Sequence, residues 1–373
     1  MWNPFNLFKN ESQSVVGIDI GSSAIKVVQI RKKGGKVILE TYGALALGPY
    51  ANVPVGKATN LPIAKLVVAL NDIMKEAKVT TKRGGVAIPF RASLMSVIEM
   101  PDVPDKQLAT MVPLEARKYI PVPISEVSLD WSIIPKDQIK SEHTPEDDES
   151  VKSIPKLSKK EVLVVAIHND TIAEYQNIVK QAGLNANFFE IEIFSTMRSV
   201  LDQNPEPVMI LDIGAATTKL YIVERGGIRL SHTINRGSQD ITSTISTSLG
   251  VSIEQAEVMK RSIGYNQTAT DGKDVVSLVA LTLDFIFSEA RRVMFTYQQK
   301  YGKNVSRIYL VGGGAAMKGV TEIAKANLQT EVVAGDPFAK VEAPAFLTDI
   351  LKVNGPEFAV ALGIALRRLQ GGE

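Results

Sequence analysis

One ten-residue phrase occurs twice in this chain, and that repetition restricts the fold more than any other feature. Gly17-Ile18-Asp19-Ile20-Gly21-Ser22-Ser23-Ala24-Ile25-Lys26 returns as Ile210-Leu211-Asp212-Ile213-Gly214-Ala215-Ala216-Thr217-Thr218-Lys219. Each copy continues through apolar residues to a glycine pair, Gly34-Gly35 and Gly226-Gly227. Strand, glycine turn, strand, turn: each reads as a β-hairpin with an aspartate just before its bend. Two such hairpins facing each other can hold a polyphosphate and its metal, which makes a nucleotide the first suspect.

The rest of the chain supplies two cores. Its 373 residues exceed one ordinary core, so two domains or more are expected. Lys+Arg 42 against Asp+Glu 40 leaves a formal charge of +2, which gives no electrostatic footprint for nucleic acid. Cysteine is absent, which removes disulfides, thiol catalysis and thiolate metal sites and suits the cytoplasm. No uninterrupted apolar segment reaches the roughly 20 residues a bilayer span takes. The N-terminal segment with Trp2, Phe5, Leu7 and Phe8 reads as a tail, with a membrane-surface or partner contact as the alternative.

Along the chain, strand text at 15–41 leads to a helix at 61–77 and a buried strand at Gly84–Pro89. Residues 86–135 look like a separate small unit: strand Ser93–Met100, helix Asp105–Tyr119 interrupted by Pro113, and strand Val127–Ile134. The charged stretch at 136–160, with almost nothing to bury, reads as a mobile surface loop. A strand at 161–167 then restarts the plan, with Asn169 or Asp170 as cap of the next helix and Gly183 as its end. Strand Phe188–Ile193 and helix Phe194–Leu201 precede the second hairpin. Beyond it come helices at 240–249 and 253–263 and a long amphipathic helix carrying Leu283, Ile286, Phe287, Ala290, Val293, Met294 and Tyr297. Strand Ile308–Val311 and a buried terminal helix around Phe358–Leu366 follow. This is a duplicated α/β architecture with an insert in its first half and a cleft between halves.

The paired hairpins carry the chemistry. Gly21 and Gly214 permit close backbone approach to phosphates, and Ser22, Ser23, Thr217 and Thr218 offer hydroxyl donors. Asp19 and Asp212 can share one Mg²⁺, which usually keeps several waters around one or two carboxylates. Lys26 and Lys219 would add charge if they point inward, although each lies on an outgoing strand. Gly312-Gly313-Gly314, after a strand and before a helix, offers bare backbone and a positive helix end to a ligand. The three histidines are scattered, and neither a zinc site nor a Ser-His-Asp triad has support.

These three elements in this order resemble the actin, sugar-kinase and chaperone ATPase superfamily. Asp19 to Lys26 looks like its first phosphate motif, Asp212 to Lys219 like its second, and Ile308 to Val320, including Met317, like its adenosine motif. Ala256-Glu257-Val258-Met259-Lys260 is similar to the helix whose Glu and Lys meet ribose and base; without the resemblance, Glu257 and Lys260 would be a surface ion pair. Within that superfamily the segments Leu114–Ile124, Val127–Trp131 and Pro356–Arg367 resemble the PilM family of type IV pilus proteins.

The resemblance implies an actin-like (ribonuclease H-like) α/β fold, two lobes around a nucleotide cleft, with an inserted FtsA-type subdomain. It places residues 14–85 and 160–206 in the first lobe and 86–159 in the insert. Residues 207–240 and 301–373 then form one part of the second lobe, and 241–300 the other. It also implies ATP or ADP with Mg²⁺ in the cleft, and a cytoplasmic adaptor held peripherally at the inner membrane. The implied partners are the N-terminal cytoplasmic peptide of the membrane protein PilN and other inner-membrane pilus components; self-association stays open. Superfamily hydrolases use a carboxylate or amide in the first connecting segment, where Glu192 is the candidate here. Tight nucleotide binding with slow or negligible turnover is expected. An FtsA-like division protein and a small-molecule kinase remain as alternatives.

Overall fold

The computed structural model describes residues 14–135, 159–266 and 273–370. The N-terminal aromatic segment, and the charged loop up to residue 158, lie outside the described residues.

The chain builds one sheet plan twice. Strands β1 (Val15–Ile20), β2 (Ala24–Lys33) and β3 (Lys36–Ala46) form an antiparallel meander, and β4 (Arg83–Ile88) and β8 (Asn185–Ile191) extend it in parallel, in the order β3-β2-β1-β4-β8. In the second half β9 (Val208–Ile213), β10 (Thr218–Glu224) and β11 (Gly227–Ile234) repeat the meander. There β12 (Arg307–Val311) and β13 (Glu331–Ala334) complete the order β11-β10-β9-β12-β13. Every residue of β1 and of β9 is buried, as expected for central strands covered by neighbours on both edges and by helices on both faces.

Helices α1 (Ile63–Glu76) and α3 (Asn169–Gln181) cover one face of the first sheet through Leu70, Ile73, Ile178 and Val179. The other face receives the last of the described helices. That helix, α10 (Ala359–Gln370), approaches β1 so closely that a Cβ on Gly17 would collide with the Ala361 carbonyl. It also crosses α4 (Glu192–Val200), where a Cβ on Gly363 would strike the Ser195 carbonyl and Ser199 Oγ donates to the Ala359 carbonyl at 2.7 Å. The second sheet packs on α5 (Ser238–Leu249), α6 (Ile253–Ser262), α7 (Lys273–Tyr301) and α8 (Val320–Leu328) around Ile241, Leu283, Phe287 and Tyr297.

Between β4 and β8 sits an antiparallel sheet of its own, β5 (Ser93–Pro101), β7 (Lys159–His168) and β6 (Val127–Ile133) in the order β5-β7-β6. The expected boundary at 159/160 therefore falls at the start of β7, whose partners are both insert strands. Alternation along β7 serves two cores. Val162, Val164 and Ala166 pack with Leu108, Val112 and Ala116 of α2 (Asp105–Ala116), while Leu163 and Val165 join Ile191, Ile193, Ile210 and Tyr221 between the lobes. Helix α2 runs through Pro113, which lies in its last turn.

Arg229 of β11 secures the insert to the second lobe. It donates to Glu161 Oε2 at 2.5 Å and to the Pro135 carbonyl at 2.9 Å, and it pairs with the buried Glu224.

Local departures from the sequence reading have simple causes. Neither Asn169 nor Asp170 caps α3; His168 precedes the helix, and the Asn169 amide is taken up by Ser128 Oγ and the Ser125 carbonyl. Glu192 opens α4, so the strand expected to reach Ile193 stops at Ile191. After β12 the chain makes a 3-10 turn over Gly313–Ala316, and α8 begins only at Val320, so no helix end lies directly behind the triglycine.

Candidate functional site

The two bends are closed by the same hydrogen bond. Gly21 N–H donates to the Ala24 carbonyl and Gly214 N–H to the Thr217 carbonyl, each at 3.0 Å. A Cβ on either glycine would crowd that same carbonyl, at 3.0 Å and 2.8 Å respectively. Closure of the turn is thus a sufficient reason for glycine, before any ligand is considered. Directly across each hairpin an aspartate faces a lysine: Asp19 is registered with Lys26, and Asp212 with Lys219.

Each lysine pairs with the aspartate of its own hairpin. Lys26 Nζ lies 3.8 Å from Asp19 Oδ2. Lys219 Nζ lies 2.9 Å from Asp212 Oδ2 and 2.6 Å from Glu192 Oε2, joining the second lobe to the first. The remaining Glu192 oxygen, Oε1, accepts from the Phe90 backbone N–H at 2.6 Å. Burial raises the Asp19 carboxyl to about 6, while Lys26 pulls it down, Glu192 pushes it up, and Lys219 and Asp212 act more weakly. Burial alone would lower the Lys219 ammonium, but Asp212 and Glu192 outweigh it and hold it well above its ordinary value.

Each bend is braced from behind. Ser22 and Ser23 offer their carbonyls to a strap at 47–59: Thr59 N–H donates to Ser22 at 2.8 Å and Leu47 N–H to Ser23 at 2.9 Å. The second bend leans on the start of α5, whose Ser238 and Gln239 amides donate to the carbonyls of Gly214 and Ala215. Thr217 remains partly exposed, whereas Thr218 is buried and its hydroxyl is spent on the Arg236 carbonyl at 2.9 Å. Thr218 therefore offers no free hydroxyl to the cleft.

Glu257 and Lys260 are not a surface pair. Both are buried, 2.6 Å apart, with Lys260 Nζ also reaching Thr242 Oγ1 at 2.9 Å and Thr242 donating to Glu257 at 2.7 Å. Desolvation pushes the Lys260 ammonium below its ordinary value despite Glu257. The strap touches this pair from the other lobe: Gly56 lies against the Glu257 carboxylate, and Ala58 N–H donates to Gln239 Oε1 at 3.0 Å. Sequence reading passed over this strap. Its density of turn residues, Gly48-Pro49 and Pro54-Val55-Gly56, was the available signal.

Around the triglycine, Gly312 abuts Asp212 so tightly that a Cβ would collide with Oδ1, and Gly313 has nothing within 4 Å of a Cβ. Gly314 backs onto Ile213, and Met317 is buried in the core of the second lobe. Among the described residues no three or more His, Asp or Glu side chains gather as a metal site. A divalent ion here would rest on Asp19 and Asp212 with water completing its shell. The donor set fits that group. Three carboxylates, Asp19, Asp212 and Glu192, stand with the two ammonium groups of Lys26 and Lys219, and a Cβ on Gly313 would meet nothing within 4 Å.

Two five-stranded sheets of identical order, each carrying an Asp–Lys hairpin toward a shared cleft, define the actin-like class of α/β proteins. The chain belongs to the family described as type IV pilus assembly protein PilM, which it matches over residues 17–369. In three dimensions it is similar to the PilM-PilN type IV pilus biogenesis complex, with a TM-score of 0.76 at 23% identity over 96% of this chain and 99% of that one. It is also similar to MreB5 of Spiroplasma citri bound to AMPPNP, with a TM-score of 0.51 at 13% identity over 95% of this chain and 96% of that one. In sequence it is 25% identical to the cell division protein FtsA of Neisseria meningitidis serogroup B over 335 residues, 81% of this chain and 78% of that protein. Among the described residues no helix is long and apolar enough to cross a membrane.

Proposed function

We propose that this chain is a nucleotide-dependent adaptor of the type IV pilus machine. It holds ATP with Mg²⁺ in the cleft and binds the N-terminal cytoplasmic peptide of PilN beside the inserted sheet. That partner keeps it on the cytoplasmic face of the inner membrane. The observation that carries the reading is the doubled Asp–Lys pairing, Asp19 with Lys26 and Asp212 with Lys219, at one register in both hairpins. Family membership and the likeness to the PilM-PilN complex support the partner; the likeness to an AMPPNP-bound MreB5 supports the ligand class.

Asp19 and Asp212 would hold the metal. The amides of Ser22, Ser23, Ala215 and Ala216, next to glycines whose own N–H groups close the turns, would face phosphates, with the Ser22, Ser23 and Thr217 hydroxyls beside them. Glu257, Lys260 and Gly312 to Gly314 would line the nucleoside side. The metal would neutralise phosphate charge; the protein's own task is to bind, orient and bring the lobes together. Multiple turnover stays below about 1 s⁻¹, the low end of ordinary enzyme rates.

Titration of labelled ATP with Mg²⁺ against wild type, Asp19→Ala and Asp212→Ala tests this, followed by binding of a PilN N-terminal peptide. Saturable binding that both variants weaken at least tenfold is the expected result. Wild type that binds no nucleotide at millimolar concentration, or no peptide in either state, would overturn it. The FtsA likeness favours a second reading, a division-type adaptor, which capture of a division partner in preference to PilN would establish. ATP-dependent phosphorylation in a screen of sugars and polyols would instead establish a kinase.

A further inference from the structure

We propose that Glu192 is a positioning residue that ties occupancy of the cleft to the seating of the inserted sheet. The inference rests on the nucleotide reading above and deepens it.

Glu192 touches three parts of the molecule at once. It stands at the first position of α4, on the lobe-one side, with 12% of its side chain exposed. Its Oε2 accepts from Lys219, which also holds Asp212 of the second lobe. Its Oε1 accepts from Phe90 N–H, at the first residue of the turn linking β4 of the first sheet to β5 of the insert. That turn is stiffened by Ser93 Oγ, which donates to the Phe90 carbonyl at 2.7 Å. The Phe90 side chain packs into the same core as Ile191 and Ile193, the insert's Leu163 and Val165, and Ile210 and Tyr221 of the second lobe.

This arrangement links two equilibria. Lys219 divides its charge between Glu192 and Asp212, so any ligand that changes the charge at Asp212 changes the share left for Glu192. A largely shielded carboxylate with one partner weakened costs free energy until it finds another. The carboxylate's other partner is the backbone at the root of the insert, so the adjustment is passed to residues 89–93. With both oxygens engaged, Glu192 is built to transmit rather than to activate water.

The test uses the full chain, with Mg-ATP and Mg-ADP as probes. Hydrogen exchange is followed over residues 89–101 and 159–168, and nucleotide and peptide affinities are measured in parallel. Glu192→Gln keeps an acceptor for Phe90 N–H and removes the charge that holds Lys219. Glu192→Asp, shorter by one methylene, cannot reach both partners and serves if the first variant does not fold. In wild type, saturating nucleotide should change exchange in both segments and shift peptide affinity at least about fivefold, the low end of ordinary coupling. At saturating nucleotide, whatever their own nucleotide affinity, the variants should show no exchange response in these segments and an affinity ratio of about 1. A merely structural residue would instead alter exchange equally with and without nucleotide. The proposal is overturned if wild type binds nucleotide with no change at 89–101, or if the variants respond like wild type. It is overturned too if they keep the response but lose single-turnover hydrolysis. Wild type that binds no nucleotide fails the underlying reading as well, and is told apart by the affinity measurement.

Discussion

Gly56 of the first lobe stands against the Glu257 carboxylate of the second, with φ at +89° and space for a Cβ only 3.0 Å from Glu257 Cδ. The two lobes therefore meet at the residues that would receive the nucleoside. An L side chain is strained at this φ, and its Cβ would press on a buried carboxylate. Gly56→Ala should destabilise the nucleotide-free protein by about 1–2 kcal/mol in urea unfolding and loosen exchange across 54–59. An unchanged midpoint would mean that the strap does not hold the lobes together.

Asp19 gives a pH signature. Its folded carboxyl is raised by burial from 3.8 to about 6, among Lys26, Glu192, Lys219 and Asp212. Between those values the folded chain binds more protons than the unfolded one, so this group's contribution falls as pH rises through the window. Asp19→Asn should accordingly stabilise the nucleotide-free protein at pH 7.5 by about 1–2 kcal/mol, less at pH 5, while weakening nucleotide binding. Urea midpoints at the two pH values check the sign.

The buried Glu257–Lys260 pair should behave as a unit. Breaking such a pair typically costs about 3–5 kcal/mol, because the surviving charge has lost its partner. Arg261 still donates to Glu257 at 2.7 Å, which puts Lys260→Met near about 3 kcal/mol. The double variant Glu257→Gln, Lys260→Met should lose clearly less than the sum of the single losses, read as a coupling energy in a double-mutant cycle. Additive losses would contradict the geometry.

At the crossing of α4 and α10 there is no room for a methyl group. Gly363→Ala would drive a Cβ into the Ser195 carbonyl and disturb the contact between Arg198 and the Gly363 carbonyl at 3.1 Å. Overpacking of this kind costs about 1–3 kcal/mol or more, and rigid backbone on both sides places this site at the upper end. A lowered urea midpoint with unchanged m-value is the expected outcome.

The doubled hairpins were legible because their residues are local: an aspartate, a glycine turn and a lysine at fixed spacing set both register and bend. The insert and the alternation of α and β elements were legible for the same reason. What escaped was tertiary. Nothing in the spacing of Glu257 and Lys260 tells a buried pair from a solvated one; burial comes from Thr242 and Gly56, distant in sequence. The inward turn of Lys219 depends on Glu192, 27 residues away. Thr218 looked like a hydroxyl donor for the cleft until the Arg236 carbonyl claimed it. The strap at 47–59 drew no attention because turn residues announce a loop and say nothing of what the loop touches.

Helix α10 and strand β1 stand at opposite ends of the described residues, yet they share one apolar groove, where Val15, Val28 and Ile30 meet Ala361, Leu362 and Ala365. Joining segments so far apart in sequence carries a high loop-closure cost, so this flank of the first sheet is covered only once the far end of the described chain has folded back onto it.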